Sequence, residues 1–187
     1  MPKNILITGG AGYIGSHISE ILIKKKKKIF IIDNLSTGHR RLINKKAIFF
    51  KLDINDKKKI KYIIIKNKID SIIHLAGSLI IGEGEKKPKK YYRNNVLGTK
   101  NLILSCLNTS VKNFLFSSTA AVYKDGLKKV TESSTTRPIS VYGKTKLLAE
   151  KIITNYCKKD KINYGVLRYF NIVGASNSGK IGLINKG

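Results

Sequence analysis

The sequence predicts an α/β fold in which helices pack on both faces of one parallel sheet, and three observations carry this reading. Short apolar runs alternate with longer amphipathic segments along the whole chain. A glycine-rich turn, Thr8-Gly-Gly-Ala-Gly-Tyr-Ile-Gly-Ser-His17, joins the first apolar run to the first amphipathic segment. An acidic residue, Asp33, closes the second apolar run 18 positions after Gly15. Together these describe a Rossmann-type doubly wound sheet that binds a dinucleotide.

The elements follow in order. Asn4-Ile-Leu-Ile7, ending at Thr8, reads as a buried parallel strand. Ile14, Ile18, Ile21 and Leu22 recur at helical spacing behind the glycines, and the Lys24 to Lys28 run ends that helix where cations complement its dipole. Ile29-Phe-Ile-Ile32 is the second strand and residues 47–52 the third. A Lys-rich amphipathic helix is expected over 56–68, then a fourth strand, Ser71-Ile-Ile-His74. One helix is expected over about 86–107, with Pro88 in its first turn. Asn113-Phe-Leu-Phe116 is the fifth strand, residues 124–139 a loop, 140–159 a helix and 164–168 the sixth strand. No internal repeat or linker interrupts the pattern.

The glycine spacing fits a diphosphate. Gly10-x-Gly12-x-x-Gly15 and Gly9-x-x-Gly12-x-x-Gly15 both let backbone approach the ligand, while the helix N-terminus offers N–H groups and partial positive charge. A carboxylate at Asp33 accepts from both hydroxyls of an adenosine ribose and repels a 2′-phosphate, which favours NAD, although Arg40-Arg41 keeps NADP open. Tyr142 and Lys146 are four apart and share one helix face. The ammonium is expected to lower the phenol's pKa, fitting Tyr142 to take a proton from a sugar or alcohol hydroxyl beside a nicotinamide. The strand ends at Asp33, Asp53, Ala76-Gly77, residues 117–119 and residues 169–171 collect in one crevice beyond the carboxyl edge of the sheet.

Composition narrows the class. The 187 residues suit one ordinary core. The net charge of +26 invites a nucleic-acid reading, but the basic residues are 32 Lys and 5 Arg scattered through every segment, without the Arg-rich, aromatic-interleaved pattern of base readout. Specific nucleic-acid binding is therefore not expected, while weak, salt-sensitive attachment to polyanions is. Cys106 and Cys157 lack metal-ligand spacing and suggest buried or free thiols in a reducing compartment, which points to the cytoplasm. No metal site is expected. Residues 2–8 already follow the core pattern, so no leader is expected, and no apolar run reaches a membrane span of ~18 residues.

With these residues placed, the chain resembles the extended short-chain dehydrogenases/reductases of the NAD-dependent epimerase/dehydratase type, and among them the UDP-glucose 4-epimerase family. The likeness runs from residue 3 to about 180. Besides the glycine turn, it rests on Asp33-Asn-Leu-Ser-Thr-Gly-His39, His74-Leu-Ala-Gly77, Tyr91-Tyr-Arg-Asn-Asn95, Phe116-Ser-Ser-Thr119, Tyr142-Gly-Lys-Thr-Lys146 and Arg168-Tyr-Phe-Asn171. The resemblance implies a catalytic set of Tyr142, Lys146 and Thr119, acting on a UDP-sugar through a 4-keto intermediate. It places Gly9, Gly12, Tyr13, Ile14 and Gly15 on the diphosphate, and Asp33, Asn34, Leu35, Ser36, Thr37 and Gly38 on the adenosine ribose. Asp53 and Ile54 would meet the adenine. Leu75, Ala76, Gly77, Ser78, Leu79, Asn94, Ser117 and Phe170 would line the cofactor together with Tyr142 and Lys146. Thr119, Tyr142 and Asn171 would touch the sugar nucleotide, and a homodimer is implied.

The residues leave other readings open. Thr119 could cap local backbone, Asp53 could cap a helix, Asn94 and Asn95 could be surface amides, and His74 reads as a buried strand-end histidine. Leu79, Lys124 and Val141 depart from the family's usual Lys, Gly and Pro. Another UDP-sugar epimerase or a decarboxylase shares the same machinery. The resemblance divides the chain into an NAD-binding domain over 1–171 and the start of a truncated substrate domain over 172–187. On that division the chain alone is expected to bind NAD weakly and to turn over little.

Overall fold

The computed structural model describes residues 3–126, 128–176, 179 and 181–184. Six strands, β1 (Asn4–Thr8), β2 (Lys28–Asp33), β3 (Ile48–Lys51), β4 (Ser71–His74), β5 (Asn113–Thr119) and β6 (Asn163–Tyr169), form one sheet in the order β3-β2-β1-β4-β5-β6. Every neighbouring pair is parallel. The order reverses between β1 and β4, and a doubly wound sheet opens its ligand crevice at such a point. All six expected strands are present. The helices are α1 (Tyr13–Lys24), α2 (Lys57–Lys66), α3 (Ile81–Lys86), α4 (Pro88–Tyr91), α5 (Gly98–Cys106) and α6 (Val141–Lys159).

Strand alternation builds two cores. Leu6, Phe30, Ile32, Ile72, Phe114 and Phe116 point to one face and pack beneath α2, α5 and α6 with Ile60, Ile64, Leu102 and Ile153. Ile5, Ile7, Ile29 and Ile31 point to the other face, against α1. Both cysteines lie buried and unpaired in the first core. α1 differs from its expected face: its buried residues are Gly15, Ser16 and Ser19, while Ile21 is exposed. Small residues let this helix lie close on the sheet, while Ile18, Leu22 and Ile23 still pack against the second core, so the departure from the expected face is at Ile21.

The helix expected over 86–107 is broken. α3 precedes it, Lys87 leaves helical geometry (φ −130°, ψ 57°), and Pro88 starts α4. A π-helical segment, Tyr92–Leu97, then widens the turn before α5. Proline lacks the N–H that would continue α3, which accounts for the break. α2 starts where Asp56 accepts from Lys59 N–H at 3.1 Å, so the cap is Asp56 and not Asp53.

Ile64 is fully buried between α2 and the sheet. Ile64→Ala is expected to lower unfolding free energy by about 2–5 kcal/mol, because a packed core relaxes only partly around the space left behind. Urea unfolding checks this, with a reduced midpoint and an unchanged slope expected.

Candidate active site

The glycine turn sits at the carboxyl end of β1. Gly12 caps α1 through backbone alone, with no side-chain hydrogen bond, so no side chain occupies the helix's first-turn donors there. A Cβ at Gly15 would stand 2.4 Å from Gly9 O and 2.7 Å from Gly10 Cα, so only glycine lets the turn fold back onto the helix. Such a bare helix N-terminus under a tight glycine turn is a cradle for a diphosphate. Asp33 holds its shape: Oδ2 accepts from Ala11 N–H (3.0 Å) and Oδ1 from Leu35 N–H (2.8 Å). Residues 34–38 are tied to the same turn by His39 N–H to Ala11 O, 2.9 Å. Each carboxylate oxygen keeps a lone pair for a ribose hydroxyl.

Beside it, Asp53 accepts from Asn55 and from the Asn34 side chain (3.1 Å), joining the loops after β2 and β3. Desolvation opposes its charge, but these hydrogen bonds and Arg93 prevail, holding the carboxyl below its usual range. Ile54 follows directly on Asp53. Its side chain is buried in the first core beneath Gly98, leaving its main chain as what a ligand could meet.

Behind the crevice runs a buried polar chain that sequence reasoning missed. Ala76 N–H approaches Thr8 Oγ1 (3.4 Å), Thr8 Oγ1 lies 2.7 Å from His74 Nδ1, and His74 Nε2 lies 2.9 Å from Thr99 Oγ1. Thr99 spends its proton on Asn95 O (2.6 Å), so it accepts from Nε2–H, and Nδ1 accepts from Thr8. This fixes the tautomer of a histidine that burial keeps neutral, with its pKa pushed down to about 3 by desolvation and then by Lys146. Asn95 carries the chain onward. Its Oδ1 accepts from Ser78 N–H (2.7 Å), and its Nδ2 reaches Ser78 O (3.0 Å) and Thr145 Oγ1 (3.0 Å). Asn94 donates to Ser78 Oγ at 3.0 Å. The π-helical turn thus aims both amides at the loop after β4, and Asn95 is the more deeply buried.

At α6, Ser140 Oγ accepts from Gly143 N–H (3.0 Å) and Glu85 accepts from Val141 N–H (2.8 Å), fixing the helix start. A Cβ at Gly143 would lie 2.4 Å from Ala121 O, so glycine alone allows α6 this close to the end of β5. That approach brings the Tyr142 phenol near enough to the Thr119 side chain for Thr119 to favour the phenolate. Thr119 also accepts from Ala121 N–H at 3.1 Å, so capping and site contact coexist. Lys146 is buried, its Nζ 4.3 Å from the Phe116 ring centroid. Burial pushes its pKa down to about 7 against the pull of Glu150. The phenol differs from expectation: burial raises Tyr142 above its ordinary pKa, with Thr119 working the other way. The Lys146 ammonium is directed to the aromatic ring under β5.

The remaining expected residues lie on or just after the strands β4, β5 and β6. Gly77, Ser78 and exposed Leu79 follow β4, half-buried Ser117 lies on β5, and Phe170 (68% exposed) and Asn171 follow β6. Tyr13 at the start of α1 donates to Gly174 O at 2.7 Å, crossing the crevice between its two sides.

Residues 5–185 match the family model described as the NAD dependent epimerase/dehydratase family. A UDP-glucose 4-epimerase from Lactobacillus helveticus is 43% identical over 181 residues, covering 95% of this chain and 54% of that protein. One from Schizosaccharomyces pombe is 40% identical over 95% of this chain and 54% of its own length. The structure of UDP-glucose 4-epimerase from Brucella ovis in complex with NAD superposes with a TM-score of 0.93 at 38% identity, over 97% of this chain and 56% of that one. The chain spans about half the length of the curated relatives it matches.

The neutral His74 sets a pH dependence. Unfolded, the ring takes a proton near its ordinary value of ~6.5; folded, it resists until about 3. The folded pKa is depressed, so its contribution is present above the ordinary value and is lost as pH falls toward 3. Against His74→Gln, which keeps a donor and an acceptor, the stability advantage of histidine should shrink by roughly 1 kcal/mol per pH unit below ~6.5. Urea midpoints between pH 7 and 4 test this, and parallel pH profiles for the two proteins would contradict it.

Proposed function

This chain belongs to the NAD-dependent epimerase/dehydratase family, and from that premise we propose that it binds NAD and interconverts UDP-glucose and UDP-galactose by acting on the 4-hydroxyl of the sugar. One observation carries the reading: Tyr142 lies by Thr119 at the end of β5, one helical turn from buried Lys146, in a chain whose β1 ends in the glycine turn.

In this reading the Tyr142 phenolate takes the 4-hydroxyl proton and later returns it. Thr119 donates a hydrogen bond to the phenolic oxygen and shares the proton path. Lys146 holds the nicotinamide ribose hydroxyls. Bound NAD supplies hydride exchange at sugar C4. Gly9, Gly12, Tyr13, Ile14 and Gly15 take the diphosphate, Asp33 and residues 34–38 the adenosine ribose, and Asn171 the sugar nucleotide. We assign residues 1–171 to the NAD-binding domain and 172–187 to the start of a substrate domain; regular structure stops at Tyr169, the end of β6, among the described residues. Two buried free thiols fit a cytoplasmic protein, and no helix among the described residues is long and apolar enough to cross a membrane. The family likeness supports a homodimer.

Two measurements test the reading. In calorimetric titration NAD should bind more tightly than NADP, and Asp33→Ala should weaken NAD and narrow the gap; equal or reversed affinities would remove the cofactor assignment. In a fusion that adds the second half of a full-length relative, Tyr142→Phe should lower UDP-galactose conversion by roughly 10²–10⁴-fold while NAD affinity holds. A loss below about tenfold would exclude Tyr142 as the base.

A further inference from the structure

Glu150 takes no part in the reading above, yet its carboxylate is buried at the meeting of three elements. Ser118 Oγ at the end of β5 donates to Oε1. Arg168 on β6 donates through Nε to Oε1 (3.1 Å) and through Nη2 to Oε2 (2.8 Å). The guanidinium is held in turn over the Tyr123 ring, 4.9 Å from its centroid, and by Glu132 O at 3.3 Å. Lys146 lies one turn earlier on the same helix face, equally buried, reaching toward Phe116. Glu150 therefore stands between Lys146 on the β5 side and Arg168 on the β6 side.

We propose that Glu150 is a positioning residue of this site: its carboxylate locks the Ser118-Thr119 strand end and Arg168 to α6, and it supplies the negative charge against which Lys146 keeps its proton. Two consequences follow from one group. Thr119 directly follows Ser118, so the clamp sets where its hydroxyl stands relative to Tyr142. A buried ammonium loses its hydration and tends to shed its proton unless an opposite charge faces it. The titratable groups on the elements packed around Lys146 are His74 on β4, Glu83, Glu85 and Lys86 on α3, Lys89, Lys90 and Tyr91 on α4, Tyr92 and Arg93 on the π-helical turn, Lys100 and Cys106 on α5, Tyr123 after the turn that follows β5, and Tyr164, Arg168 and Tyr169 on β6. α6 itself adds Tyr142, Lys144, Glu150, Lys151, Tyr156, Cys157, Lys158 and Lys159, of which Glu150 is the one acid. His74 is neutral, so it supplies no opposing charge, while Glu150, one turn along α6, acts on Lys146 by charge across space and not by an ion pair. Arg168 absorbs the rest of the carboxylate's desolvation cost through its two-point contact.

The proposal rests on the reading of Lys146 as the site's cation, and its test does not need turnover. The full chain is labelled with 15N-lysine, the Lys146 Nζ signal is assigned by its loss in Lys146→Arg, and its titration is followed from pH 5 to 10. Glu150→Gln keeps the hydrogen-bonding shape and removes the charge, and should lower the Lys146 midpoint by about one pH unit. Glu150→Asp keeps the charge and should stay within about 0.3 unit of the wild type, and it stands as the test if the Gln protein does not fold. Ser118→Ala cuts the strand link alone and should leave the midpoint in place. An unchanged midpoint in folded Glu150→Gln, or an Asp variant displaced by a full unit, would overturn the proposal. Failure of the chain to bind NAD would instead overturn the functional reading and leave these titrations standing.

Discussion

The close approach of α6 to the end of β5 is the contact on which the site depends. At Gly143 the helix comes so near Ala121 O that any side chain would collide. That proximity puts Tyr142 against Thr119, Lys146 over Phe116 and Glu150 against Ser118. Three successive turns of one helix thus meet the last four residues of one strand. A helix lifted by even a methyl group would separate all three pairs, because interiors packed at crystal density have no slack to take up the shift. The Ser140 and Glu85 caps matter for the same reason, since they decide where the first turn begins.

Much of this was legible in the sequence where the chemistry is local. The glycine turn, Asp33 after β2 and the Tyr142–Lys146 spacing are contiguous patterns whose geometry follows from helix and turn rules. All six strands also fall where apolar runs place them. What was not legible depends on contacts across the sheet. Asn95 looks like any helical amide until the π-helical turn rotates it beneath Ser78, and nothing in local propensity announces such a turn. Asp56, not Asp53, caps α2, because two loops compete for Asp53 through Asn34 and Asn55. Ile54 follows a site aspartate yet turns into the core beneath Gly98. α1 packs through serines and a glycine as well as Ile18 and Leu22, so hydropathy misassigned Ile21.

The Tyr142 phenol shows how magnitude decides between two correct rules. A cation one turn away lowers a phenol's pKa, and removal from water raises it. Here burial dominates, Thr119 is the counterweight, and the Lys146 charge is spent on an aromatic face. Spacing alone could not reveal this, because i and i+4 positions share a helix face without their side-chain tips having to meet. The same distinction separates the surface from the site. A net charge of +26 belongs mostly to solvated lysines, whose fields salt screens within ~10 Å. One buried lysine and one buried glutamate matter more to the chemistry.

The polar chain behind the crevice gives the two halves of the site a common frame. Thr8 ends the strand that carries the glycine turn, and Thr145 lies within the helix turn that carries Tyr142 and Lys146. Between them His74, Thr99 and Asn95 pass hydrogen bonds in one direction, each donor and acceptor used. Thr145 closes the chain by donating to Tyr142 O at 2.8 Å. An apolar core of the same volume would hold β1, β4 and α6 together, but it would tolerate small slides among them. Hydrogen bonds in a dry interior are directional and costly to leave unmade, so this line of five side chains admits one register. The glycine turn and the Tyr142 phenol are built on elements far apart in sequence, and this line fixes the distance between them.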